Sequence, residues 1–475
     1  NWTENMKVSI DEVRKQGKIA EASICYTGDI LDKSRDKYNL DYYIKKAIEL
    51  ENAGAHILAI KDMSSLLKPT AAYELITSLK KEISLPIHLH THDTSGNGVA
   101  TVLMASMAGV DIVDTAFNSM SGLTSQPALN SVAAACSNTV RDTLINLDDI
   151  QKISNYWEDV RPVYESFESG LKSGTTEIYK YEIPGGQYSN FKPQVESFGL
   201  GTRFEEVKDM YIQVNEMLGD IVKVTPTSKV VGDLAIFMIQ NDLTPDNIYD
   251  KGALLDYPDS VVTYFEGMMG QPMGGFPKKL QNLVLKGKEP ITDRPGLLIE
   301  DEDFDALRKY LKSTYDFEPD FKDVLSYALY PKVYEDYLKS LEEDGDLSLL
   351  GSDIFYWGLG IGESCEIKHS KGNFIVVKLL EIREPDEKRL RSVVFEVNGD
   401  LRTVKIHDDR ITDYGLDINK AKQFAEKDNM LHVAASIPGN IISILVSQGD
   451  LIEVNQPVAI IEAMKMETSV LALSL

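Results

Sequence analysis

A chain of 475 residues has room for about three domains at roughly 150 residues each, and 43% apolar with 26% charged residues is enough to bury real cores. Its 49 basic and 74 acidic side chains leave a net charge of −25, which argues against a nucleic-acid polymer or an anionic membrane as partner, since both need a basic surface. No apolar run approaches the roughly 18 residues of a membrane span, and Cys25, Cys136 and Cys365 are too scattered for a disulfide framework or a cysteine zinc site. A reducing cytoplasm is therefore expected. No signal peptide is legible, and the opening Asn1-Trp2-Thr3 reads as the interior of a longer chain.

The first 140 residues alternate strand and helix. Ile19–Thr27 is a strand-like run. Leu40–Asn52 is an amphipathic helix with Tyr43, Ile44, Ala47 and Ile48 on one face, and Gly54 is its stop. Strand Ile57–Ile60, helix Thr70–Glu82, strand Ile87–Thr91, helix Val99–Ala108, strand Ile112–Phe117 and helix Ala128–Ala135 complete four βα units. Such alternation predicts an α/β fold with a parallel sheet, either open and doubly wound or closed into a (β/α)8 barrel. No Gly-x-Gly-x-x-Gly follows a strand, which weakens a dinucleotide-binding version.

Residues 141–345 read as mostly helical, with helices over Leu147–Trp157, Arg203–Leu218, Val230–Gln240, Asp303–Lys312 and Val333–Leu341. Glu182–Asn190 and Gly270–Pro277 read as irregular, and acidic Glu342–Asp346 as a linker. Composition then shifts to β: residues 364–406 hold short alternating strands, with hairpin-turn signals at Ser370–Asn373 and Asn398–Gly399. A last β module over 431–475 has turn signals at Pro438–Gly439 and Gly449–Asp450, and a distinctive segment at Glu462–Thr468.

Four constellations could carry chemistry. His88, His90 and His92 place three of the seven histidines within five positions, at the C-terminal end of a βα-unit strand. Alternation lines the three imidazoles up on one face, where they could clamp a divalent metal; the alternative is a buried polar patch bonded to loops. Lys61-Asp62 ends the preceding strand. A lysine there fits an ion pair or a substrate carboxylate, and it could join a metal only if carbamylated by CO2, because an ammonium has no lone pair. Ala463-Met464-Lys465-Met466 is expected at an exposed hairpin tip, which suits covalent attachment of a cofactor; methionines on both sides are hard to explain by solvation. In Val224–Lys229, Thr227 or Ser228 reads first as the N-cap of a helix from Val230.

Together these segments resemble the C-terminal part of the pyruvate carboxylase family of biotin-dependent enzymes, in its bacterial type, over almost the whole chain. EAMKMET resembles the biotin attachment motif, which makes Lys465 the biotinylated residue. AIKDMSSLLKPTAA and PIHLHTHDTSGNG resemble the metal site of the family's carboxyltransferase barrel. That match implies carbamylated Lys61, His90 and His92 as ligands of Mn2+ or Zn2+, with His88 not a ligand. KVTPTSKVVGD matches the segment with the catalytic threonine, Thr225, and the biotin-pocket residues Ser228 and Lys229. The implied fold is a TIM-type barrel with only its last four βα units in residues 1–140. A helical extension follows over 141–345, then a small β tetramerisation and allosteric domain over 346–430 and a biotin carrier module over 431–475. The upstream half-barrel, which would carry an Asp ligand and the Arg that holds pyruvate, is not found, nor is an ATP-grasp domain. Only ten residues follow Lys465, so the chain is expected to be cut at both ends.

The implied activity is the biotin-dependent carboxylation of pyruvate to oxaloacetate, for anaplerosis and gluconeogenesis. ATP, Mg2+ and bicarbonate would be used by the absent domain, and Thr225 would relay a proton between pyruvate and biotin. Implied partners are biotin protein ligase, further copies in a homotetramer, and acetyl-CoA or a cyclic dinucleotide as effector. An oxaloacetate decarboxylase α-subunit or a transcarboxylase subunit shares the barrel motifs, but residues 350–430 favour pyruvate carboxylase. A non-catalytic biotin carrier or assembly fragment is the rival of another class; it predicts no metal and no exchange activity.

Overall fold

The structure is a computed structural model that describes residues 3–168, 170–370, 372–386, 389–408, 425, 432–435, 439–463 and 466–472. It divides into two units, Asn1–Leu298 with Phe424–Leu475, and Ile299–Gln423.

The first unit begins with α1 (Thr3–Lys15), which the sequence reading missed. Its buried side is thin: Met6, Ile10 and Val13 among mostly polar residues. Four parallel strands follow in the order β1 (Glu21–Cys25), β2 (Ile57–Asp62), β3 (Ile87–Thr91) and β4 (Ile112–Val113). Between and after them run α2 (Leu40–Asn52), α3 (Pro69–Glu82), α4 (Gly98–Ala108) and α5 (Leu129–Cys136). Ile87, Leu89 and Thr91 are buried while His88 and His90, on the other side of the pleat, are partly open. One face of the sheet thus joins Leu50, Leu75 and Leu79 in a core, and the other is left for polar side chains. β4 is shorter than the predicted Ile112–Phe117: the chain leaves the sheet after Asp114, whose amide still donates to Leu89 O at 3.1 Å.

A helical layer follows: α6 (Leu147–Val160), α7 (Ile178–Tyr181), α8 (Gly185–Ser197), α9 (Phe204–Met217), α10 (Thr227–Gln240), α11 (Ile248–Lys251), α12 (Asp259–Phe265) and α13 (Lys278–Leu285). α8 occupies part of a stretch predicted to be irregular. Gly185, Gly186 and Pro193 are poor helix formers, but Phe191 and Val195 are fully buried among Tyr211, Val230 and Leu234, and that packing outweighs propensity. α10 also starts earlier than predicted. Pro226 holds its N-cap position, and neither Thr227 nor Ser228 supplies a side-chain cap. Thr227 Oγ1 instead lies 2.6 Å from the carbonyls of both Val222 and Val224, and Ser228 is buried.

The unit closes with an antiparallel sheet of strands that appear later in the chain and pack on this layer through Val458, Ile461, Val470 and Ala472. Within it, Ala463 pairs with Met466. Met464, Lys465 and Pro438 lie outside the described residues.

The second unit contains α14 (Phe304–Tyr315), α15 (Phe321–Leu329), α16 (Pro331–Asp344) and α17 (Ser352–Trp357). An antiparallel meander follows: β5 (Ser364–Ser370), β6 (Asn373–Ile382), β7 (Leu390–Val397) and β8 (Asp400–His407). The turn at Asn398–Gly399 forms as predicted, with positive φ at both residues and Val397 paired to Asp400. α16 runs through most of the predicted acidic linker and stops at Gly345, whose φ of +79° ends the helix. The strands that close the first unit are β9 (Asn440–Ile444), β10 (Pro457–Ala463) and β11 (Met466–Leu471). Among the described residues no helix is long and apolar enough to cross a membrane.

Candidate active site

Parallel pairing of β2 with β3 sets Lys61 beside His90 at the C-terminal ends of both strands. Asp62, the next residue, is fully buried. Its oxygens accept from the amides of Leu66 and Leu67 at 2.9 Å each and from Thr91 Oγ1 at 2.8 Å. It therefore shapes the loop after β2. Burial pushes its carboxyl up, and these donors oppose the shift.

His88, His90 and His92 alternate with the buried Ile87, Leu89 and Thr91, and β3 itself ends at Thr91, one residue before His92. His90 and His92 approach edge to face, with ring centroids 5.3 Å apart. His90 Nδ1 lies 2.7 Å from Asp114 Oδ2, and His92 Nδ1 lies 2.6 Å from Thr124 O. A carboxylate and a carbonyl only accept, so each Nδ1 carries a proton, and in the neutral ring the lone pair is on Nε2. Burial holds His92 below the usual histidine range, and His90 and Lys61 add to that, against the bond to Thr124. His88 is different. Its Nδ1 lies 3.1 Å from Glu21, and its Nε2 is 2.9 Å from Asp114 Oδ1, an ion-pair distance off the hydrogen-bond axis. Burial pulls this imidazole down, but Asp114 and Glu21 outweigh burial and raise it.

Two imidazoles in the metal-ready tautomer, beside a strand-end lysine, fit part of a divalent-metal site. Among the described residues no group of three His, Cys, Asp or Glu side chains could hold a metal, so Lys61 could add a ligand only as its carbamate.

A cavity of about 480 Å3 opens next to this group. Its wall includes Lys61, Met63 and His92 from the sheet side, Gln187, Phe191 and Gln194 from α8, and Thr225, Ser228 and Lys229 around the start of α10. His90 is not in that wall. Gly185 begins α8 by donating its amide to Met63 O at 2.8 Å. A Cβ on it would fall 3.2 Å from His92 Nδ1, so a glycine lets the helix approach the imidazole closely. Gln187 Nε2 donates to Ser228 O at 2.7 Å, and Gln187 Oε1 accepts from Tyr211 Oη at 2.9 Å, which fixes α8 against both α10 and α9. Lys229 Nζ sits 2.9 Å from the buried Asp233 carboxylate one turn on. Burial pushes the Asp233 carboxyl up; Lys229, Ser260 at 2.6 Å and Gln194 at 3.3 Å oppose it.

Thus the structure places Lys61, His92, Thr225, Ser228 and Lys229 around one space and sets His90 beside Lys61, while Lys465 lies outside the described residues. The sequence reading did not single out Asp114, Gln187 or Asp233. Asp114 had one available signal, a carboxylate at the end of a βα-unit strand.

Three families match successive parts of the chain: HMGL-like over residues 6–156, Conserved carboxylase domain over 178–378 and Biotin-requiring enzyme over 432–474. The carboxyl transferase domain of Rhizobium etli pyruvate carboxylase superposes with a TM-score of 0.81 at 45% identity, covering 86% of this chain and 69% of that one. The chain belongs to the pyruvate carboxylase family. Among curated members, pyruvate carboxylase of Bacillus subtilis is 52% identical over 472 residues, 99% of this chain and 41% of that protein. The human mitochondrial pyruvate carboxylase is 41% identical over 476 residues, 99% of this chain and 40% of that protein. The chain thus spans about two fifths of the length of these pyruvate carboxylases. Its α/β sheet belongs to the family's TIM-type carboxyltransferase fold, as the motifs of the first 140 residues implied.

Proposed function

We propose that this chain carries the carboxyl-transfer half-reaction of an enzyme that converts pyruvate to oxaloacetate, with Lys465 as its biotinylated residue. One observation carries the reading: a single cavity gathers Lys61, His92, Thr225, Ser228 and Lys229 from well-separated segments. A related carboxyl transferase domain, from Rhizobium etli, has been solved with pyruvate and biocytin, and the same ligand chemistry suits this space.

Biotin, when bound, supplies the carboxyl group and leaves a ring nitrogen in need of a proton. A divalent metal, Mn2+ or Zn2+, would be held by carbamylated Lys61, His90 and His92 and would supply Lewis-acid support for enolate charge. The remaining steps belong to the chain's own side chains. Thr225 Oγ1 both donates and accepts, so it can take a proton from the pyruvate methyl group and pass it on. Ser228 and Lys229 would orient the biotin ring, with Lys229 anchored by Asp233. Met63, Phe191 and Val224 exclude water from the wall, which favours release of CO2 at the acceptor rather than into solvent.

The reading extends to ATP, Mg2+ and bicarbonate consumed by a separate domain, biotin protein ligase as modifying partner, a cytoplasmic homotetramer, and acetyl-CoA or a cyclic dinucleotide as effector. Its test is Thr225→Ala in the full-length enzyme. Oxaloacetate formation should fall by about 10²–10⁴-fold, the usual span for a lost proton-transfer group, while bicarbonate-dependent ATP cleavage continues. Oxaloacetate formed at the parent rate would overturn the relay.

A further inference from the structure

Thr225 is exposed at the cavity, so its hydroxyl is placed by the backbone that carries it. That backbone is held at several points. Lys37 Nζ, on the loop after β1, donates to Gly219 O at 2.6 Å and to Asp220 O at 2.9 Å, and Tyr38 Oη donates to Asp220 O at 2.8 Å. Nearer Thr225, the Lys223 side chain is 3% exposed, and its Nζ lies 2.8 Å from Glu182 Oε2. Glu182 Oε1 accepts from Arg35 Nη2 at 2.9 Å. Glu182 caps the C-terminal end of α7 with a φ of +54°, and Pro184, Gly186 and Gln187 just after it line the cavity. One carboxylate thus sits between the loop after β1, the start of α8 and the segment leading to Thr225, while neither Glu182 nor Lys223 is part of the cavity wall.

We propose that Glu182 and Lys223 are positioning residues for Thr225: their ion pair sets the distance between the start of α8 and the threonine hydroxyl. This role rests on Thr225 being the proton relay proposed above. Stability alone does not call for the pair. Arg35 would satisfy Glu182 by itself, and the attraction in such a pair roughly offsets the desolvation of the lysine, so an apolar side chain of like volume often serves as well. What the pair adds is register. Thr227 Oγ1 lies 2.6 Å from the carbonyls on either side of Lys223, those of Val222 and Val224, so residues 222–227 fold into one compact turn. A shift at Lys223 is therefore carried to Thr225 rather than absorbed between them. On the other side, Gly185 N donates to Met63 O, so the start of α8 is fixed to the strand side and does not follow. Proton transfer tolerates little error in such a distance, because the hydroxyl must come within about 2.6–3.2 Å of the group it serves.

Lys223→Met in the full-length biotinylated enzyme tests it, because methionine keeps most of the bulk and leaves Glu182 with Arg35. The kcat for oxaloacetate formation should fall by about 10–100-fold, the loss expected from a misplacement of about 1 Å. KM for pyruvate should stay within about twofold, since the groups that bind substrate are untouched. The isotope effect on kcat with methyl-deuterated pyruvate should rise above the parent value, as proton removal becomes the slow step. That ratio does not depend on how much of the preparation is folded, so partial misfolding cannot imitate it. Parent kcat with the parent isotope effect would overturn the positioning role. So would a lower kcat with an unchanged isotope effect, which is the mark of a purely structural pair. Should the single variant fail to fold, Glu182→Gln with Lys223→Met leaves neither charge of the pair unmatched, and the same rise in isotope effect is expected from it. Thr225→Ala separates the two roles. If it blocks transfer while Lys223→Met changes nothing, only the positioning role falls; if it transfers at the parent rate, the relay and the positioning role fall together.

Discussion

Asp114 is the residue on which the imidazole cluster turns. One carboxylate serves two histidines, one through each oxygen. It accepts from Nδ1–H of His90, which in the neutral ring leaves the lone pair on Nε2, and it lies 2.9 Å from His88 Nε2 and raises that imidazole. Burial pushes the Asp114 carboxyl up, but its two histidines bring it below the ordinary range, so the charge persists at neutral pH. Asp114→Asn removes that charge and makes the tautomer of His90 ambiguous. If His90 is a metal ligand as proposed, affinity for Zn2+ should fall by about 10–100-fold, the usual effect of losing such a partner. Titration of the metal-free chain with Zn2+ would check this, and unchanged affinity would remove Asp114 from the site. The sequence hid this residue because a strand predicted to run through Phe117 made Asp114 one position of a ladder rather than its end. Lys61 and Thr225 were hidden differently. Their surroundings are equally compatible with an ion pair and a helix start, so only the longer motifs singled them out.

At the scale of elements, the cavity is walled by α8 and the start of α10, which touch further along α10. Gly232 is where they do so. A Cβ there would lie 2.7 Å from Gln187 Nε2 and 3.1 Å from the Phe191 ring. Two effects compete on replacing this glycine by alanine. Helix propensity would stabilise the chain by about 1 kcal/mol, whereas overpacking a tight contact costs about 1–3 kcal/mol. Gln187 is pinned at both ends by Ser228 and Tyr211, and Phe191 is fully buried, so neither neighbour yields cheaply. Gly232→Ala should therefore destabilise the chain by about 1 kcal/mol, read as a lower urea midpoint. A higher midpoint would mean that the helices are not in tight contact. The βα sheet was legible because alternating buried positions such as Ile87, Leu89 and Thr91 have one period and one buried face. α8 was not, because Gly185-Gly186 and Pro193 announce a loop, and only distant partners for Phe191 and Val195 make a helix worthwhile. The early start of α10 has a similar cause: Ser228 is held in the wall by tertiary contacts, where a local pattern suggests a cap.

At the scale of the whole chain, the two units differ in how much apolar surface they hide. The first has continuous cores, one around Leu58, Leu75 and Leu89 and another around Phe191, Leu234 and Phe265. In the second, the buried apolar side chains among the described residues are few: Leu311, Val324 and Tyr334 in the helices, and Leu379, Val393 and Val394 in the meander. Ordering each backbone residue costs about 1–2 kcal/mol, so a small core leaves little margin. The same unit exposes Phe355, Tyr356 and Trp357 in succession, together with Phe321, Tyr330 and Val333. A surface of this kind is stabilised when it is covered, which the proposed homotetramer would do. The second unit should therefore open first. Brief chymotrypsin treatment should cut within 299–423 before it cuts within 178–285, and cutting should slow as protein concentration rises if assembly covers the aromatic residues. First cuts between 178 and 285 would show instead that the meander and its helices are the sturdier part. A cleavage rate independent of concentration would leave the aromatic surface without a role in self-assembly.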